Sequence, residues 1–106
     1  MEPMIIFVTA SSPQEAQEIA RHLLSQKLAA CVNMINGVNS LFWWDQKIDQ
    51  AQETLLIIKS FAHLFAEIKA VVKTEHSYSI PEILAFRVSE GSQEYLDWMS
   101  QSVKAA

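Results

Sequence analysis

The chain has 106 residues, a formal net charge of −4 and a hydrophobic content of 50%. This length fits a single domain over residues 1–106, and the lack of a basic cluster argues against a nucleic-acid partner. The longest apolar runs, such as 5–8 and 55–58, are far shorter than the roughly 20 residues of a membrane helix, so we expect no contact with the membrane interior.

The first predicted elements are a strand and a helix. The apolar run from Met4 to Thr9 predicts a strand, and because no secretory signal precedes it we expect a cytoplasmic location. Ser12 predicts a helix N-cap, with Pro13 at the first helical position and Glu15 completing a capping box. The apolar face expected for this helix comprises Ala16, Ile19, Ala20, Leu23 and Leu24.

A long hairpin is predicted next. Residues 29–35 predict a second strand, which we expect to break at Asn36 and Gly37 and to resume over 39–44. Asp45 and Gln46 predict a tight turn, and residues 47–59 predict a third strand. The only cysteine, Cys31, lies in this hairpin, and we interpret it as a small buried hydrophobic residue rather than a reactive thiol.

The last three predicted elements are a helix, a strand and a short helix. Apolar residues from Phe61 to Lys73 follow helical spacing. The stretch from Ser79 to Val88 predicts a fourth strand, in which Pro81 must lie near the start or on an edge. A short helix that carries Tyr95, Leu96, Trp98 and Met99 follows Gly91.

This order of elements predicts an α+β fold. Its class is the ferredoxin-like split βαβ sandwich, in which two main helices cover one face of a four-stranded antiparallel sheet. The strand runs 5–8 and 55–58 are apolar at every position, so the other face needs a cover as well. We expect further copies of the chain to supply it, with Phe42, Trp43 and Trp44 on the hairpin arm at the subunit interface.

Several segments together resemble one protein family. They are KLAACVN at 27–33, SLFWW at 40–44, LLIIK at 55–59, PEI at 81–83 and the stretch from Gly91 to Trp98. Over essentially the whole chain they resemble the CutA family of divalent-cation-tolerance proteins. The resemblance implies a cytoplasmic homotrimer that acts in the response to divalent metal ions. Asn36 and Ser77 stand where proline is usual, and Phe42 where tyrosine is usual.

Copper(II) or another divalent metal is the ion that the resemblance implies, with no cofactor required for folding. The family's copper ligands are a cysteine in the first strand and two adjacent histidines, and these positions hold Val8, Glu75 and His76. His76 and Glu75 are therefore the candidate metal ligands. In the alternative interpretation, His76 follows a helix end and interacts only with its dipole and last carbonyl groups. His22 and His63 are interpreted as solvated helix residues.

Three charged residues border the apolar strand runs, namely Glu53, Lys59 and Glu82. We expect a structural ion pair among them, because buried charges persist only when paired. As an alternative, Lys59 and Glu82 could line a cleft between subunits with His76 and Tyr78, where a small anion or a metal binds. A PII-like regulatory module that senses a small effector in such clefts is the alternative function. No nucleophile and base can be paired, so we predict that the protein is not an enzyme.

Overall fold

The computed structural model describes all 106 residues, and the elements follow the predicted order. The strands lie side by side in the order β2-β3-β1-β4, and each neighbouring pair is antiparallel. This topology confirms the ferredoxin-like fold. The bounds are β1 (Pro3–Ala10), α1 (Pro13–Ser25), β2 (Cys31–Trp44), β3 (Lys47–Phe61), α2 (Phe65–Glu75), β4 (Ile83–Arg87) and α3 (Gln93–Ser102).

The core lies between one face of the sheet and the first two helices. Alternate residues of β1 and β3 point to this face, and they pack with α1 and α2 in one buried cluster that includes Ile6, Val8, Leu56, Ile58, Ile19, Leu23, Ile68 and Val72. The predicted core face of α1 is confirmed except for Leu24, which is 42% exposed. Leu24 lies about 100° further round the helix than Leu23, beyond the edge of the buried stripe.

The other face of the sheet is also apolar, and α1 and α2 do not cover it. The strand register places Ile5, Phe7, Ile35, Leu55, Ile57, Leu84 and Phe86 on it, and we call this surface the open face. Leu84 is 54% exposed, and Ile35 and Phe86 are each 49% exposed. The sheet therefore has apolar side chains on both sides, as the uninterrupted strand runs predicted.

The hairpin arm is one continuous pair of strands, and the interruption predicted near Asn36 and Gly37 is a bulge within β2 rather than an end of the strand. The register between β2 and β3 shifts between Ile35 and Val38, where β2 contains one extra residue. Gly37 adopts a left-handed φ of +73° at this bulge. The Asn36 carboxamide oxygen accepts a hydrogen bond of 3.1 Å from the Thr54 hydroxyl across the bulge, a contact that a proline at this position could not make.

The arm ends in the predicted two-residue turn. Asp45 and Gln46 have φ values of 52° and 64°, which is typical of a type I′ hairpin turn. Beside the turn, Trp43 lies opposite Ile48 and Trp44 lies opposite Lys47. Trp43 is 73% exposed, Trp44 52% and Phe42 38%, so the chain itself buries none of the three.

Three predicted boundaries differ from the structure. Phe61 ends β3 opposite Pro3, and a short 3-10 turn (Ala62–Leu64) separates it from α2, so the helix starts later than its apolar spacing predicted. β4 begins at Ile83 rather than Ser79, because the residues before it form bends and Pro81 has no N–H for a ladder bond. The last helix, α3, is confirmed. None of the helices is long and apolar enough to cross a membrane.

Candidate functional site

The candidate site lies where the end of β1, the start of α1 and the loop after α2 meet. Ser12 caps α1 by accepting a hydrogen bond of 3.1 Å from the Glu15 N–H, as predicted. The Glu15 carboxylate does not close the expected capping box on Ser12. It accepts instead from the N–H and the hydroxyl of Ser11, at 2.8 and 3.0 Å.

Glu15 also holds the loop that follows α2. Its second carboxylate oxygen accepts a hydrogen bond of 2.8 Å from the Ser77 N–H. Burial acts to raise the pKa of Glu15, but the hydrogen bonds from Ser11 and Ser77 outweigh it, and the pKa lies below its ordinary value. The charged carboxylate therefore acts as a brace between the helix start and the loop that carries His76 and Tyr78.

His76 is a buried residue with both ring nitrogens engaged. Its side chain is 0% exposed. Nε2 donates a hydrogen bond to the Thr9 carbonyl oxygen over 2.6 Å, and Nδ1 accepts one of 3.0 Å from the Tyr78 N–H. Because a carbonyl oxygen can only accept and an N–H can only donate, these two partners determine the tautomer. His76 thus ties the loop after α2 to the end of β1.

Tyr78, in the same loop, lies near two acidic residues at the edge of the open face, Glu53 and Glu82. Burial, a hydrogen bond with the Glu53 carboxylate and the charges of Glu53 and Glu15 raise the pKa of Tyr78 to about 12. Burial and the charge of Glu53 also raise the pKa of Glu82. Glu53 is only 8% exposed. Two carboxylates and a phenol therefore meet where the arm leaves the sheet.

Lys59 lies elsewhere on the same face. The register places it opposite Cys31 and Ile5, toward the other end of β3. Its ammonium group lies 5.7 Å from the centre of the Tyr95 ring on α3. Four contacts have the distance of an ion pair, two of them between a histidine and a glutamate, and none includes Lys59, Glu53 or Glu82, so the structural pair expected among these three residues is absent from the chain. One subunit keeps Lys59 apart from Tyr78 and Glu82.

The other candidate metal ligand, Glu75, is bonded as well. Its carboxylate lies 2.5 Å from Nδ1 of His22 on α1, which corrects the expectation that His22 is merely solvated. His63 Nε2 donates to the Lys104 carbonyl oxygen over 3.0 Å. Cys31 is half-buried on the side of the sheet that faces away from the helices, rather than in the core. The chain holds no group of three or more His, Cys, Asp or Glu side chains arranged to bind a metal ion.

The residues of one chain therefore do not fit a resident copper ion. Copper(II) binds imidazole nitrogens that present a free lone pair. The only lone pair of the His76 ring already accepts the Tyr78 N–H, and the neighbouring Glu75 carboxylate is held by His22. A metal ion would have to displace these partners.

Sequence reasoning missed two parts of this site. Glu15 was assigned only a capping role, although the acidic residue three positions after an N-cap can equally accept from a distant loop. The bond between His22 and Glu75 joins residues 53 positions apart, and no local pattern indicates such a contact.

Known proteins match this sequence over nearly the whole chain. The family model described as CutA1 divalent ion tolerance protein matches residues 4–102. The divalent-cation tolerance protein CutA of Thermus thermophilus is 39% identical over 98 residues, which cover 92% of this chain and 95% of the relative.

Two solved structures have closely similar folds. The structure of CutA1 from Oryza sativa superposes with a TM-score of 0.97 at 33% identity, covering 100% of this chain and 97% of the other. That of the protein named periplasmic divalent cation tolerance protein CutA from Archaeoglobus fulgidus has a TM-score of 0.94 at 43% identity, covering 96% and 99%.

Proposed function

The chain belongs to the CutA1 divalent ion tolerance family, and from that membership we propose that it acts in the response to divalent metal ions as a cytoplasmic, non-enzymatic homotrimer built from a single domain. The observation that carries the assembly is the open face. Ile35, Leu84 and Phe86 of this face and the aromatic side chains of the arm are exposed in the lone chain, and the other apolar residues of the face are half-buried. Contiguous apolar surface of this kind is typical of an interface.

A closed ring of identical subunits is the simplest cover for this surface. Cyclic symmetry lets one subunit's arm lie on its neighbour while the open faces meet around the axis. Native mass spectrometry and light scattering test this directly. We expect a particle with three times the mass of the 12.0 kDa chain. A monomer or dimer at micromolar concentration would refute the trimer.

For the metal, we propose that the protein holds no resident copper ion through His76 and Glu75. This proposal is supported by the occupied donors, because the His76 ring and the Glu75 carboxylate already have partners within the chain. Chelator-stripped protein is titrated with copper(II) against a competing glycine buffer, beside the variants His76→Gln and Glu75→Gln. We expect the wild type to retain less than one ion per subunit and both variants to match it.

The opposite outcome is equally clear. One retained ion per subunit in the wild type, lost in His76→Gln while the circular dichroism spectrum is unchanged, would establish His76 as a metal ligand.

The tolerance role is tested separately in cells that lack the protein. Their growth on elevated copper(II), zinc(II) or cobalt(II) should fall and should recover on expression of this chain.

We propose the cytoplasmic location from the family resemblance alone. The Archaeoglobus fulgidus relative is named periplasmic, so the compartment has to be measured for this chain. Cell fractionation with a cytoplasmic and an exported marker decides it, and recovery with the exported marker would refute the proposal.

A PII-like effector module is the second candidate function. It is favoured by the open-face location of Lys59, whose ammonium group contacts an aromatic ring and no carboxylate. A small organic anion should then raise the thermal midpoint with all metal chelated, and Lys59→Met should abolish the shift. Wild type and variant responding alike would exclude this candidate.

A further inference from the structure

The open face carries charges that its own chain leaves unpaired. Below the bulge, the register places one cation on the side of the sheet away from the helices, Lys59, and it is half-buried. Glu53 lies on the same side of β3 and is 8% exposed, and Glu82 lies beside it, just before β4. None of these groups is in an ion pair.

The geometry of β3 prevents them from pairing within one chain. Six residues separate Glu53 from Lys59, which corresponds to about 20 Å along a strand at about 3.3 Å per residue. Neither side chain can span that distance. The Lys59 ammonium group instead lies against the Tyr95 ring, which gives a weaker contact than a carboxylate would.

Covering the open face makes these unpaired charges costly. A charge removed from water without a partner loses several kcal/mol of hydration free energy, whereas a paired one recovers most of it. The cover proposed above is further copies of this chain. On that surface each copy carries Lys59 on the side near α3, and the carboxylates of Glu53 and Glu82 near the arm. These two regions of the open face have opposite charges.

We infer that, in the trimer, Lys59 of one subunit pairs with Glu53 and Glu82 of the next, so that each acidic cluster is completed across an interface. The inference rests on the homotrimer of the proposed function and adds which residues meet. A head-to-tail contact of this type fits a ring whose rotation closes after three subunits, since every subunit supplies the lysine on one side and the carboxylates on the other. Burial and, after it, the charge of Glu53 raise the pKa of Glu82, and a lysine brought beside this carboxylate would oppose both effects.

A charge swap tests the pairing. Lys59→Glu places a third carboxylate against Glu53 and Glu82, Glu82→Lys places a lysine against Lys59 with only Glu53 left to oppose it, and the double variant restores opposite charges at positions 59 and 82. Lys73→Glu on the exposed face of α2 is the control for a lysine reversal, because Lys73 takes part in no ion pair. Trimer dissociation is measured by native mass spectrometry and light scattering. We expect each single variant to weaken the trimer about tenfold or more, and the double variant and the control to remain close to wild type.

Mixing the two single variants shows that the pair joins different chains. Where one variant follows the other around the ring, opposite charges face each other at positions 59 and 82, whereas like charges face each other at these two positions in a homotrimer of either variant. Mixed trimers should therefore exceed the statistical proportion. A statistical mixture, additive effects in the double variant, or single variants as stable as the control would each overturn the inference.

Milder substitutions keep the test usable if the charge reversals fail to fold. Lys59→Met and Glu82→Gln, with their double variant, form a thermodynamic cycle in which a coupled pair gives a non-additive change in trimer stability. Additivity would again refute the pair. A wild-type chain that is not a trimer would refute the proposed assembly itself, whereas a wild-type trimer without coupling would refute only this pairing.

Discussion

Glu15 should be among the most sensitive polar residues of the molecule, and Glu15→Gln tests its role as a brace. The wild-type carboxylate, 13% exposed, accepts from Ser11 on one side and from Ser77 on the other. The amide keeps one carbonyl oxygen and replaces the other by an NH2 group, which faces N–H or O–H donors on whichever side it occupies. One side of the brace is then lost and its donors are left without an acceptor.

The magnitude follows from the charge on the acceptor. Hydrogen bonds to a charged group contribute about 1.5–3 kcal/mol each, so losing one side should lower the free energy of unfolding by about that amount. For a chain of this size 1 kcal/mol corresponds to about 4–8 °C, so the thermal midpoint should fall by on the order of 10 °C. Circular dichroism at a fixed subunit concentration measures it, because assembly makes the midpoint concentration-dependent.

The pH dependence distinguishes a brace from a packing effect. The pKa of Glu15 is lowered in the folded state, so its contribution is present above the unfolded pKa and is lost as pH falls through the folded pKa. Wild type and Glu15→Gln should therefore converge in acid. Glu18→Gln, at an exposed position of the same helix, is the matched control. A difference below about 0.5 kcal/mol at neutral pH, or one that persists unchanged in acid, would refute the reasoning.

Three further substitutions test other parts of the structure. Trp43→Asp should leave the subunit folded, since Trp43 is 73% exposed in the lone chain. The substitution should dissociate the trimer, which light scattering detects as a lower mass. An unchanged mass would show that Trp43 does not lie in the interface. Tyr78→Phe removes the hydroxyl that interacts with the buried Glu53 carboxylate and should lower the free energy of unfolding by about 1–3 kcal/mol. The pKa of Tyr78 is raised from 10.0 to about 12, so the stability of the wild type should also fall as pH rises through that interval. A fall of equal size in Tyr78→Phe would show that Tyr78 is not the group that titrates. His22→Ala breaks the contact between α1 and Glu75, and both side chains are partly exposed. The free energy of unfolding in urea should therefore fall by no more than about 1 kcal/mol. A larger fall would show that the contact is stronger than a surface pair.

The architecture follows from the sequence alone, because the information that specifies each element is local. Apolar periodicity of two and of 3.6 residues identified the strands and helices, and Ser12 with Pro13 identified the start of α1. The same patterns indicate that both sides of the sheet are apolar, and this predicts an assembly. Boundaries were wrong where a second pattern competed, as at Phe61, whose apolar side chain suits a helix face and a strand end equally well.

The partners of the polar residues depend instead on how the chain folds in three dimensions. His76 has the same neighbours in the sequence whether its ring is a metal ligand or a buried link, and the Thr9 carbonyl that engages it is 67 residues away along the chain. Lys59 and Glu82 looked like partners because both border apolar runs, yet β3 and α3 hold Lys59 against Tyr95 instead. Hydrogen bonds and ion pairs act over a few ångströms and depend on direction, so they follow the meeting of distant segments, which no local pattern encodes.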